Sequence, residues 1–223
     1  MYDALFLGSI GVLVETTDMQ RRAFNAAFEE AGLDWHWSPE DYLPMLRKSG
    51  GRARIERYAN AMGDTVDAEA LHASKVRHFA QMMQKQGLEL RPGVGELIEA
   101  AKSKGMKVAF VTSTGADQID AIFKALNGAL TRESFDYVGD RRFVDRSKPA
   151  PDIYLDALQT LNLNARDVLA IEDTPICADA ALAARIATLG FANDGVGDQP
   201  FPDGVTEVKT LSPDLLQRDV AVA

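Results

Sequence analysis

Four short polar stretches, each close behind an apolar run, hold most of the side chains able to do chemistry. Gly8-Ser9-Ile10-Gly11 follows Ala4 to Leu7, and Thr112-Ser113-Thr114 follows Val108 to Val111. Ser147-Lys148-Pro149 comes after the short run Phe135 to Val138, and Glu172-Asp173-Thr174-Pro175 follows Val168 to Ile171. Lys148, with the Thr112 hydroxyl and the acidic pair in the same arrangement, suits an anion site or an ion pair that neutralises Asp173; the alternative is a surface lysine ahead of a helix. Glu172 and Asp173 also stand before a helical stretch, where an acidic side chain is favourable as a cap. Ser9 is the nucleophile type in the first stretch. Adjacent strand residues point to opposite faces, so Ser9 is expected to aim away from the place where position 8 aims.

The elements around these stretches alternate in a recognisable way. Val94 to Lys104, Asp117 to Leu126, Pro151 to Leu161 and Ala178 to Ile186 read as helices between the apolar runs, and Thr188 to Phe191 reads as a further strand. The segment from Met19 to Gly87 is helical almost throughout instead, with Pro39 after Ser38 as a helix start and a break at Gly50-Gly51. The first strand is therefore cut off from its sheet-mates by an all-helical block. The expected architecture is α/β: a doubly wound, Rossmann-like parallel sheet formed by residues 1–16 and 89–223, with a helical-bundle cap over residues 17–88. Ligands of such sheets bind at the carboxyl ends of the strands, which is where the four polar stretches lie. The tail from Asn193 onward, rich in Gly, Pro and Asp, is expected to be the least structured part.

Composition sets the outer limits. With 223 residues the chain has room for one substantial core and a smaller insertion. A formal net charge of -9 argues against non-specific binding to nucleic acid or to anionic membrane. Anionic small molecules stay compatible with it, because a few local cations suffice to hold them. Cys177 is the only cysteine, so no intrachain disulfide forms, and a reducing, cytoplasmic location is expected. The apolar run at the N-terminus is too short for a signal peptide, and no stretch reaches the roughly 20 residues of a membrane span.

Taken in order, Gly11-Val12-Leu13-Val14-Glu15-Thr16, Thr112-Ser113, Lys148-Pro149-Ala150-Pro151-Asp152 and Glu172-Asp173-Thr174-Pro175 resemble the four motifs of the haloacid dehalogenase-like superfamily, in its CbbY-like and β-phosphoglucomutase-like branch. Gly50-Gly51-Arg52-Ala53-Arg54-Ile55 resembles an element of CbbY-like caps. The resemblance implies a phosphatase-type hydrolase with a phosphorylated small-molecule ligand. It implies phosphate contacts from Thr112, Ser113 and Lys148, and Mg²⁺ at acidic residues of the last motif, here Glu172 and Asp173.

The same resemblance places the family's nucleophilic aspartate at Gly8 and its general acid/base aspartate at Ile10, and the cap-hinge histidine of the β-phosphoglucomutase branch at Gln20. None of these side chains attacks phosphorus or moves a proton. Loss of a covalent nucleophile costs on the order of 10⁶ in kcat, roughly 8 kcal/mol of barrier. The implied reading is a non-catalytic protein that binds a phosphorylated small molecule or a protein partner, with a weakened Mg²⁺ site. The alternatives are an atypical phosphatase, using water or Ser9, and a structural module with a vestigial anion site. Arg52 and Arg54, after the Gly-Gly break, either meet a second anionic group of a ligand or form a solvated charge pair. Trp35, His36 and Trp37 read as cap packing and surface, Cys177 as a small buried residue, and Ile10 as buried.

Overall fold

A computed structural model describes residues 1–48 and 50–217. The chain divides into two compact units. The first comprises Met1–Glu15, Leu88–Asn193 and the described residues from Asp198 on; the second comprises Thr16–Gly87 with Asp194–Gly197.

The first unit is built on six parallel strands: β1 (Ala4–Leu7), β2 (Lys107–Val111), β3 (Tyr137–Gly139), β4 (Val168–Glu172), β5 (Ala187–Gly190) and β6 (Val205–Glu207). Their order is β3-β2-β1-β4-β5-β6, so β1 lies between β2 and β4. Strands β1 and β4 are buried on both faces, as a parallel sheet covered by helices requires. Ala4, Phe6, Ala109, Val111, Val168 and Ala170 face a core completed by α8 (Asp152–Leu161) and α9 (Pro175–Ala183). On the opposite face Phe110 packs edge-on against Phe123 of α7 (Ala116–Ala125) and at a tilt against Phe135. The remaining helices of this unit are α1 (Ile10–Leu13) and α6 (Val94–Ser103). Gly93, just before α6, has φ +85°, and a Cβ there would run into the Leu211 carbonyl, so the turn that opens α6 needs glycine.

The second unit is a bundle of α2 (Thr17–Glu30), α3 (Pro39–Met45), α4 (Gly51–Met62) and α5 (Ala68–Gln86). Ser38 and Asp41 form a reciprocal capping box with Pro39 at the first helical position, the start signal present in the sequence. Asp67 caps α5 by accepting from the Glu69 and Ala70 amides, which fixes that helix start at Ala68. Trp35 and Trp37 are buried against Phe28, Tyr42 and Tyr58 while His36 is exposed, so the aromatic pair is packing. Among the described residues no helix is long and apolar enough to cross a membrane.

Two sequence expectations need correction. The tail supplies β6 on the sheet edge and a short 3₁₀ turn at Pro213–Leu216, whose Leu215 and Leu216 are buried. A three-residue edge strand leaves no apolar run to recognise, and the packing leucines are too sparse to show a period. Ile10 is only half-buried, because the chain turns into α1 there and leaves the sheet.

Arg185, between α9 and β5, has φ +61°, a left-handed conformation that costs a residue with a Cβ about 1–2 kcal/mol. The side chain is exposed. Arg185→Gly is expected to stabilise the chain by about 0.5–1 kcal/mol after the added freedom of glycine in the unfolded state is subtracted. A thermal melt should show Tm raised by roughly 2 °C; an unchanged or lower Tm would mean the turn gains something from arginine.

Candidate functional site

The carboxyl ends of β1, β2 and β4 meet around one lysine. Lys148 Nζ donates to the Gly8 carbonyl, to the Val111 carbonyl at 2.8 Å and to Glu172 Oε1 at 2.5 Å. An ammonium has three N–H donors, so these acceptors occupy all of them. The Lys148 side chain is 5% exposed and that of Glu172 0%. Tyr154 of α8 donates to the same Glu172 oxygen at 2.6 Å, and the lysine ammonium lies 4.9 Å from its ring centroid. Lys148 therefore pairs with Glu172, not with Asp173 as the sequence suggested. The strand register explains it: Leu7 lies beside Ile171, so position 8 and Glu172 leave the sheet on one face, beneath Tyr154.

That face has no room at position 8. A Cβ built on Gly8 would overlap the Glu172 carboxyl group and the Tyr154 hydroxyl. Ser9, the next residue along, meets Asp173, the residue after Glu172. Ser9 Oγ donates to Asp173 Oδ1 at 2.5 Å, which brings Ser9 into the cluster the sequence reading placed it outside. Asn193 donates to the other Asp173 oxygen at 2.7 Å, and a Cβ on Gly11 would overlap that oxygen. Thr112 is buried, and its hydroxyl donates to Thr114 Oγ1 at 3.0 Å and accepts from the Thr114 amide; Ser113 is half-buried beside it.

Burial holds the Glu172 carboxyl above its usual range, and Asp173 beside it adds to the effect while Lys148 opposes it. Tyr154 is pushed well up by the same burial and by Glu172. Cys177, in the first turn of α9, is pushed up to about 12, chiefly by burial, which makes it a poor nucleophile.

The donor set near β4 does not suit Mg²⁺. That ion requires a near-octahedral shell of oxygens. The three groups gathered here are Glu172, Asp173 and the Cys177 sulfur, with ligand atoms within 4.8 Å of one another. One Glu172 oxygen is taken by Lys148 and Tyr154, and both Asp173 oxygens already accept hydrogen bonds.

The candidates in the helical unit separate. Arg52 is exposed and pairs with Glu56 one turn away at 3.3 Å, the solvated alternative. Arg54 is buried, donates to the Met45 and Lys48 carbonyls at 3.3 and 3.2 Å, and lies over the rings of Phe24 and Tyr42. Gln20 accepts from Lys75, a residue the sequence reading passed over. Lys75 is buried between Phe24 and Phe79, at 5.0 and 4.9 Å from the ring centroids, with its amine pushed down to about 8 by burial and by Arg54. It sits within a charged helical stretch, so nothing in the sequence marked it.

Three further positioning residues were also missed. Tyr154 looked like one more apolar helix residue, and Asn193 like loop. Arg91 donates to the carbonyls of Gly11, Phe191 and Ala192 at 2.6, 3.0 and 2.6 Å, tying α1 to the segment that follows β5.

A model of the haloacid dehalogenase-like hydrolase family matches residues 2–185. Protein CbbY, plasmid, of Cupriavidus necator is 40% identical over 196 residues, spanning 83% of this chain and 76% of that protein. The crystal structure of CbbY from Rhodobacter sphaeroides in complex with phosphate superimposes with a TM-score of 0.80 at 30% identity, covering 94% of this chain and 95% of that one. A mutant of the same protein, with the same similarity, was crystallised with xylulose-(1,5)bisphosphate. β-Phosphoglucomutase from Clostridium difficile, at 18% identity and a TM-score of 0.71 over 99% of this chain and 95% of that one, shares the fold. The parallel sheet and the matched sequence agree: the chain belongs to the haloacid dehalogenase-like hydrolase family, in the branch of CbbY and β-phosphoglucomutase-like proteins.

Proposed function

We propose that this family member, a phosphatase-like hydrolase by descent, does not run the aspartyl-phosphate reaction and instead binds a phosphorylated small molecule or a protein partner in a reducing, cytoplasmic setting. The observation that carries the reading is the filled space at position 8. Where the family's nucleophile would stand, Gly8 leaves room that the Glu172 carboxyl and the Tyr154 hydroxyl occupy. Ile10, at the acid/base position, offers no proton to move. Lys148, matched to three internal acceptors, acts here as a brace between strand ends. Binding a phosphate oxygen through it requires giving up one of them.

The anionic ligand is supported by the helical unit, which keeps Lys75 and Arg54 buried at a cost to stability. Sugar bisphosphates of the xylulose-(1,5)bisphosphate type are the class to try, since a CbbY was crystallised with that compound. A second reading is favoured by one contact: Ser9 Oγ on Asp173 is a hydroxyl within reach of a carboxylate base, the arrangement that activates a nucleophile.

Purified protein is expected to show no Mg²⁺-dependent release of phosphate from p-nitrophenyl phosphate or xylulose-(1,5)bisphosphate. The bisphosphate is expected to raise Tm by several degrees, through preferential binding to the folded chain. Turnover that survives purification and disappears in Ser9→Ala would replace this reading with the serine mechanism. Absence of any thermal shift with phosphate or bisphosphate would leave only the protein-partner form of it.

A further inference from the structure

Lys75 has the surroundings of a lysine that bonds to carbonyl carbon. Its amine lies over the rings of Phe24 in α2 and Phe79 in its own helix, and it donates to Gln20 Oε1. Gln20 is a neutral acceptor, and no carboxylate pairs with the amine among the described residues. The titratable and charged groups that face it are themselves basic: Arg54 of α4, over the same Phe24 ring, and His72, one turn earlier on α5. An apolar slot with like charge beside it disfavours an ammonium, so burial and Arg54 bring the amine down to about 8. At pH 7.5 roughly a quarter of it then carries a free lone pair, against about 0.1% for an ordinary lysine. A desolvated lysine next to a second cation is the kind that serves as an amine nucleophile. Packing alone does not account for the residue, since methionine fills nearly the same space with no charge to bury.

We propose that Lys75 captures a phosphorylated aldehyde or ketone as a reversible imine. The residue is 7% exposed, and Gln20, which holds the amine, is half-buried, so giving up that one hydrogen bond frees the nitrogen. The lone pair attacks the carbonyl carbon and a C–N bond forms, while a proton passes from nitrogen to the carbonyl oxygen. The C–O bond of this carbinolamine then breaks, water leaves to solvent, and the imine remains; addition of water reverses the sequence with no redox change. Arg54 supplies the phosphate preference. It spends Nε and Nη2 on the Met45 and Lys48 carbonyls and keeps Nη1, without an acceptor among the described residues, for an anion. The proposal rests on the phosphorylated small-molecule form of the function proposed above and adds the carbonyl to that ligand.

The probe is glyceraldehyde 3-phosphate, added to the full chain at pH 7.5 with cyanoborohydride, which delivers hydride to an imine and fixes it as a secondary amine. Peptide mass spectrometry is expected to find Lys75 modified at least tenfold faster than any other lysine. Glyceraldehyde, which lacks the phosphate, should label it at least tenfold more slowly. Lys75→Met should abolish the fast labelling while the variant melts no lower than the parent. Labelling of exposed lysines such as Lys104 and Lys124 in preference to Lys75 would overturn the proposal. So would equal rates at Lys75 with the two aldehydes. Glycerol 3-phosphate, which has no carbonyl, separates this failure from that of the underlying reading. Thermal protection by it without labelling of Lys75 would remove the imine and leave phosphate binding standing; neither protection nor labelling would remove both.

Discussion

Lys148→Ala is expected to destabilise the chain by about 3–5 kcal/mol, the range for removing one partner of a buried ion pair. For a chain of this length that lowers Tm by roughly 10 °C or more. The loss has three parts: Glu172 keeps a buried charge without its cation, and the Gly8 and Val111 carbonyls lose their donor. It should also depend on pH in a defined direction. Burial already raises the Glu172 carboxyl, and removing the lysine takes away the main opposing influence. A carboxyl whose folded value lies above its unfolded one binds more protons in the folded state, so stability falls as pH rises between the two values. The gap between parent and variant should therefore widen from about pH 5, just above the usual carboxylate range, towards higher pH. Lys148→Met combined with Glu172→Gln removes both charges and keeps a group for the Tyr154 hydroxyl. It should be less damaging than Lys148→Met alone, with a coupling of about 1–3 kcal/mol. The measurement is a set of denaturant melts of parent, singles and double at pH 5 and 8. Additive losses, or a Lys148→Ala cost that shrinks as pH rises, would mean that the lysine does not hold a charged Glu172.

The coupling of Lys148 to Glu172 illustrates what the sequence could and could not say. Strands β1 and β4 were readable as apolar runs, and the position of their ends marked Gly8, Ser9, Glu172 and Asp173 as a group. The partner of Lys148 was not readable, because it depends on register. Only when Leu7 is paired with Ile171 does position 8 meet Glu172 and Ser9 meet Asp173. A shift of one residue would exchange the two acids. Tyr154 was hidden for a related reason: at the N-terminal end of an amphipathic helix its ring satisfies the apolar pattern, and only the tertiary fold brings its hydroxyl to a carboxylate. Within the helical unit the starts of α3 and α4 were easier to read, since Ser38-Pro39 and the Gly50-Gly51 break are local signals. The burial of Lys75 and Arg54 within it was not visible, because a cation that buries its stem against aromatic rings has the same one-letter code as one in water.

Lys75→Met is expected to make the protein more stable at neutral pH, contrary to the usual effect of a change at a buried position. The amine is lowered from 10.5 to about 8, mainly by burial, and at about 1.36 kcal/mol per unit this corresponds to roughly 3 kcal/mol spent on keeping it charged below pH 8. Against that stand the hydrogen bond to Gln20 and the contacts with Phe24 and Phe79, worth about 1 kcal/mol together once their exchange with water is counted. Methionine fills nearly the same space with an apolar chain, so the net gain should be about 2 kcal/mol, or roughly 5 °C in Tm. The sign of the pH dependence follows from the direction of the shift. Between about 8 and 10.5 the unfolded chain still binds the proton that the folded chain has released, so the parent gains stability as pH rises through that window. Lys75→Met lacks this rise, and its advantage should shrink to nothing or reverse by about pH 10.5. Parallel pH profiles, or a variant less stable than the parent at pH 7, would show that the amine is better accommodated than its surroundings indicate. A more stable variant that also loses thermal protection by the bisphosphate would show what the buried charge is kept for, because a residue retained against stability is the expected mark of a binding group.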